Sequence, residues 1–131
     1  MNYDLYNEIN AVQSLKPAAR TSTANGTSAD LQGYESVLIE INAGSWTDGT
    51  HVFEVQESDD DSAFTAVDSS ELQGDEPTVD GAADDDQIYK LGYQGDARYL
   101  RVIVTVSGGP GTGLVAAATI FRGHYYRPPV S

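Results

Sequence analysis

The chain has 131 residues, with 20 acidic against 7 basic side chains and a formal net charge of −13. Such a field repels nucleic-acid phosphates, and the absence of cysteine excludes disulfides, thiolate metal sites and cysteine nucleophiles. The length fits one domain whose core closes without a metal or a cross-link.

The first ten residues, MNYDLYNEIN, have neither a basic region nor an apolar one, so no signal peptide is expected. No apolar run approaches about 18 residues, so no membrane span is expected. Residues 1–16 read as an N-terminal arm. Within it Leu5, Ile9, Val12 and Leu15 follow one another at helical spacing, which predicts one face of a short helix packed on the domain or on a neighbour.

Residues 17–124 carry the pattern of a β-domain. Ser36 to Asn42 reads SVLIEIN, with Val37, Ile39 and Ile41 on one face. His51 to Gln56 places His51, Phe53 and Val55 together against Val52, Glu54 and Gln56. Tyr99 to Val106 puts Leu100, Val102, Val104 and Val106 on one side of what should be a central strand. Leu114 to Arg122, LVAAATIFR, alternates less cleanly and predicts a strand covered on both faces. Ala19 to Thr23, Ala29 to Leu31, Phe64 to Val67 and Gln87 to Leu91 are shorter candidates. Asn25-Gly26, Asp48-Gly49 and Ser107-Gly108-Gly109-Pro110 are turn sequences between these runs. The prediction is an all-β, two-sheet antiparallel sandwich, either a jelly roll or immunoglobulin-like. Residues 71–86, ELQGDEPTVDGAADDD, read as a long exposed acidic loop, and residues 125–131 as an extended tail because Pro128 and Pro129 disfavour helix.

The aspartate run Asp59, Asp60 and Asp61 poses the main chemical question. A helix-loop-helix calcium loop needs oxygens at alternate positions and a glycine at the sixth; counting from Asp59, Ala63 and Phe64 break that pattern. The run fits a solvated hairpin tip better, so no metal and no cofactor is expected. SGGPGTG, residues 107–113, lacks the lysine and the following helix of a phosphate loop and reads as a strand-to-strand turn. His51 and His124 are the available histidine bases, and no Gly-x-Ser-x-Gly elbow accompanies them. No catalytic residues are assigned and no enzymatic activity is expected.

Tyrosine accounts for 8 residues against 3 phenylalanines, and several cluster at the two termini. Tyr3, Leu5, Tyr6, Ile9, Tyr125 and Tyr126 are the candidate partner-binding residues, because aromatic side chains give large contact area at small entropic cost.

The strings LKPAARTSTANGTSADLQGYES, DGTHVFEVQESDDDSAFTAVDSSELQG and RYLRVIVTVSG, with the closing ATIFRG, resemble a family of small proteins encoded by tailed bacteriophages and prophages. The resemblance runs from about Ala11 to Gly123. It implies a non-enzymatic virion structural role among head-assembly proteins, as a decoration or cement protein on the capsid exterior. The partner would be the major capsid protein, with the chain itself a dimer or trimer on the shell, made in the host cytoplasm. The middle string also resembles carbohydrate-binding and discoidin-like sandwiches. Trp46, in AGSWTDGT, would then be a sugar platform, or equally a cap on the sandwich end. A tail or head-completion protein is the third reading.

Overall fold

The computed structural model describes residues 6–123. Two antiparallel sheets face each other. The first contains β1 (Ile9–Arg20), β4 (Ser36–Trp46), β7 (Leu72–Gln73), β9 (Gln87–Tyr93) and β11 (Leu114–Gly123), in the order β1-β11-β4-β9-β7. In the second, β10 (Tyr99–Ser107) and β5 (Thr50–Ser58) form the central ladder. Short bridges flank it: β2 (Ala24–Asn25) and β3 (Ala29–Asp30) beside β10, β6 (Thr65–Ala66) and β8 (Thr78–Val79) beside β5. The first half of the chain pairs with the second half run backwards, as β1 with β11, β2 and β3 with β10, and β4 with β9. That rolled-up antiparallel ribbon is the jelly roll, not the immunoglobulin arrangement.

The inward faces follow the alternation of the strands. Ile39 and Ile41 of β4, Phe53 and Val55 of β5, Leu91 of β9, Leu100, Val102 and Val104 of β10, and Leu114 and Ile120 of β11 are almost wholly removed from water. Burying each large aliphatic side chain contributes about 1.5–3 kcal/mol, the main force holding the sheets face to face. His51 lies in the same layer, fully enclosed.

Three expectations need correction. The helix predicted near the N-terminus is a strand, and β1 runs straight across the boundary placed at residue 16. The three-residue step from Val12 to Leu15 comes from a bulge: Val12 faces Ile120, the register slips after Gln13, and Leu15 then faces Ala118 on the same side. Residues 9–16 therefore belong to the sandwich, and Leu15 is part of its core. Of the strand predicted at Ala19 to Thr23, Ala19 and Arg20 are the end of this same β1, and residues 21–23 lie outside any strand.

The second correction is to β11. It is central in its sheet, but only one of its faces is covered: Leu114, Ala116, Ala118 and Ile120 point inward, while Val115 is exposed and Ala117, Thr119 and Phe121 are half-buried. The third concerns residues 71–86, which do more than form a wet loop. They supply β7 and β8, bury Pro77 and Val79, and send the Glu76 carboxylate to accept the Val55 N–H.

The bulge residue Ser14 stitches the two sheets along one side. Its hydroxyl accepts the Val102 N–H at 3.0 Å and donates to the Thr27 carbonyl at 2.9 Å, and its own carbonyl accepts the Thr27 N–H at 2.7 Å. Gly26 passes so close that an added Cβ would collide with the Val102 carbonyl and the Ser14 hydroxyl, so the stitch needs glycine there.

Candidate functional site

The aspartate run is the tip of the β5–β6 hairpin. Asp60 closes it: one carboxylate oxygen accepts the Ser62 and Ala63 N–H groups, each at 3.0 Å, and the Ser58 hydroxyl at 2.9 Å. Those donors hold the Asp60 carboxyl below the usual carboxylate range, the Ala63 N–H most strongly. Asp61 takes a left-handed backbone conformation and accepts the Ser28 hydroxyl. These carboxylates are engaged in shaping the turn.

The SGGPGTG turn joins β10 to β11 and is organised by a residue that no sequence motif marks. Asp48 reaches across from the turn before β5, and its carboxylate accepts N–H groups of Gly111 at 2.8 Å, Thr112 at 3.3 Å and Gly113 at 2.6 Å. The Gly111 and Gly113 donors pull the Asp48 carboxyl below its ordinary range. At the same end the Trp46 indole N–H donates to the Gly49 carbonyl at 2.8 Å, and the half-buried ring packs on the core. Trp46 is thus a cap on the sandwich rather than a free platform. His51 lies beneath this cap, its Nε2 3.0 Å from the Asp48 carbonyl, enclosed away from any substrate. His124 lies outside the described residues.

The opposite end has a cleft of about 640 Å³ between the loops around Tyr34 and Gly95. Two of its polar side chains, Arg98 and Tyr93, are engaged with neighbouring carboxylates. Arg98 forks onto Asp30 at 3.1 and 2.9 Å, which lowers the Asp30 carboxyl, and the Arg122 guanidinium lies 4.6 Å from the centre of the Tyr34 ring. Tyr93 donates its hydroxyl to Glu57 at 2.6 Å and accepts the Ala97 N–H at 3.1 Å. Burial and that carboxylate raise the Tyr93 phenol well above its ordinary value.

The third region is the outer face of the five-stranded sheet. Register places Ile9, Ala11 and Gln13 of β1 beside Val115, Ala117, Thr119 and Phe121 of β11, then Leu38, Glu40 and Asn42 of β4, then Ile88, Lys90 and Gly92 of β9. Ile88 is 63% exposed, Val115 45% and Leu38 40%. Glu40 and Lys90, the ionisable groups among these positions, face each other across adjacent strands and cancel. On a chain of net charge −13 this face is neutral and partly apolar.

At the β1 end of the face, Tyr6, Ile9, Ala11 and Phe121 line a shallow depression of about 280 Å³, with Tyr6 itself 89% exposed. Of the residues expected to bind a partner, Tyr6 and Ile9 are thus brought together, while Tyr3, Leu5, Tyr125 and Tyr126 lie outside the described residues. Leu38, Ile88, Val115 and Phe121 were not anticipated. For Val115 and Phe121 the signal is in LVAAATIFR, which has no polar parity and reads equally well as a strand buried on both sides.

No known family's model matches the chain, and no curated protein matches it. Among solved structures it is similar to the SPBc2 prophage-derived protein YomS, at 15% identity over 92% of this chain and 100% of that one, with a TM-score of 0.42. Among the described residues no helix is long and apolar enough to cross a membrane.

Proposed function

We propose that this chain is a non-enzymatic structural protein of a tailed-phage virion, a decoration or cement protein that docks on the major capsid protein from outside the head. The resemblance of residues 11–123 to phage head-cluster proteins supplies the class. The observation that carries the reading is the neutral outer face of the first sheet. Exposed apolar side chains gathered on one sheet face are a usual mark of a binding site, and this face is kept free of net charge on a strongly acidic molecule. Docking by that face leaves the acidic loops outward, where they keep assembled particles from adhering to one another. A cement protein that binds across capsomer boundaries binds the assembled shell and not its parts, so its binding free energy stabilises the assembled state.

The test adds purified protein to shells lacking it and measures occupancy. Leu38→Glu with Val115→Glu puts charge on the face without touching the core, and each lost anchor should cost on the order of 1–2 kcal/mol, roughly tenfold in affinity. Asn at Asp84, Asp85 and Asp86 should change occupancy little, since exposed charges contribute weakly. Full occupancy by the face variant together with loss in the loop variant would refute the assignment.

A further inference from the structure

The cleft of about 640 Å³ between the loops around Tyr34 and Gly95 holds two kinds of polar side chain. One kind builds its walls. Arg98 forks onto Asp30, Arg122 donates to the Asp30 carbonyl at 2.7 Å, and the Tyr93 hydroxyl is held between Glu57 and the Ala97 N–H. Gly95 lies so close to Tyr93 that an added Cβ would overlap the phenol. The other kind is uncommitted. Gln32, Glu35, Gln94 and Asp96 line the cleft, are exposed, and make no side-chain hydrogen bond among the described residues. Half-buried Tyr34 stands among them, its N–H donating to the Leu31 carbonyl at 3.0 Å and its ring steadied by the Arg122 guanidinium. A second depression of about 440 Å³ adjoins the first and shares Gln32 and Tyr34 with it. The two form an elongated trough with an aromatic ring where they meet.

We propose that this trough binds a short neutral oligosaccharide, with Tyr34 as its stacking surface and the two glutamines and two carboxylates as its hydrogen-bonding rim. The chemistry of the lining selects that ligand. An anion would be repelled by Glu35 and Asp96, and Arg98, the basic residue of the cleft, is spent on Asp30. A metal ion finds no group of three ligands among the described residues. An apolar ligand would strip water from the rim amides and carboxylates without pairing them. A cation needs acceptors alone, whereas each glutamine amide also presents two donors. Sugar hydroxyls both donate and accept, so they satisfy amide and carboxylate alike, and the C–H face of a sugar ring lies flat on an aromatic one. The cleft falls within the usual span of small-molecule sites, about 300–1,000 Å³, and its walls are fixed by their own bonds before any ligand arrives. None of the uncommitted residues lies on the outer face of the first sheet. Sugar binding therefore goes beyond capsid docking and stands without it.

The experiment titrates the full, isotope-labelled chain with maltotriose, cellotriose and tri-N-acetylchitotriose in turn, and follows the Gln32 and Gln94 side-chain amides and the Gly95 backbone amide by NMR. At least one sugar should shift these signals to saturation and leave those of Trp46 in place. Gln32→Ala with Gln94→Ala changes exposed side chains only, and should weaken binding at least about tenfold without moving the melting transition. Tyr34→Ala should cost about tenfold as well, while Tyr34→Phe keeps the ring and should bind as the wild type does. Val115→Glu, on the outer face, should leave sugar binding unchanged. No saturable shift with any of the three sugars overturns the proposal, as does binding that both the glutamine pair and Tyr34→Ala leave intact. Shifts centred on Trp46 would place a sugar at the other end of the sandwich and overturn it too. So would cleft signals that move with spermidine and not with the sugars, since the rim would then be a cation site.

Discussion

In the first sheet β1, β11, β4 and β9 lie side by side as strands of 12, 10, 11 and 7 residues, whereas in the second only β5 and β10, of 9 residues each, form a long ladder. The second sheet completes its edges with loop backbone and side chains. Phe53 donates its N–H to the Pro77 carbonyl at 3.1 Å, Val55 donates to the Glu76 carboxylate, and Arg101 lies over the Phe64 ring at 4.0 Å on the outer face. Polar chemistry is therefore concentrated on the second sheet and at the turns. The first sheet is satisfied by its own ladders and can leave its outer face nearly free of charge. The separation of a polar, loop-supported sheet from a neutral, self-sufficient one gives the molecule two chemically distinct sides.

The sharpest test of that division sets an inward position against an outward one. Val102 of β10 is fully buried, and Val102→Asp places an unpaired carboxylate in the core, which should abolish cooperative folding. Val115 of β11 is exposed on the neutral face, and Val115→Asp should stay within about 0.5 kcal/mol of the wild type. Circular-dichroism melting of the two variants decides it. A folded Val102→Asp protein would mean that β10 is not the centre of the second sheet, and a collapsed Val115→Asp protein would mean that the outer face is covered within the monomer.

The sequence made much of the second sheet legible, because His51 to Gln56 and Tyr99 to Val106 alternate, with Val52 and Ile103 the exceptions, and are bounded by turn residues. The aspartate tip was legible for the same reason. Parts of the first sheet were not. In β1 a bulge turned a period of two into a step of three and imitated a helix, while in β11 small apolar residues on both parities hid which face was covered. The neutral face escaped notice because it is assembled from alternate residues of four strands, with no local motif in any of them. Asp48 was invisible as a loop organiser, since its partners at Gly111 to Gly113 stand more than sixty residues away along the chain.

A smaller effect is expected at that Asp48 contact, where polar support for the turns is strongest. Asp48→Ala should lower the melting temperature at neutral pH by freeing the Gly111, Thr112 and Gly113 N–H groups. The folded-state carboxyl lies below its ordinary value, so the stabilisation is fully present above the unfolded pKa of about 3.9 and is lost as the pH falls through the lower folded value. The gap between wild type and Asp48→Ala should therefore narrow in strong acid. A gap constant from neutral pH to about pH 2 would show that the loop is held by its glycines and not by the carboxylate.

The smallest effect is predicted at Glu76, with the opposite sign. Burial raises its carboxyl above the ordinary value, the neighbouring Glu54 charge adds to this, and the Val55 N–H bond opposes it. A carboxyl with a raised folded pKa is a burden wherever it is ionised, and the burden disappears as the pH falls from the folded value toward the unfolded one of about 4.3. Glu76→Gln removes the charge and keeps an oxygen that can accept the Val55 N–H. It should melt slightly above the wild type at neutral pH, and the two curves should meet below about pH 4. Glu76 is substantially open to water, so the shift is screened and modest. A glutamine variant that melts lower at neutral pH would reverse the balance: the charged bond to Val55 would then outweigh desolvation, and the second sheet would depend on that carboxylate at its edge more than on the β8 bridge beside it.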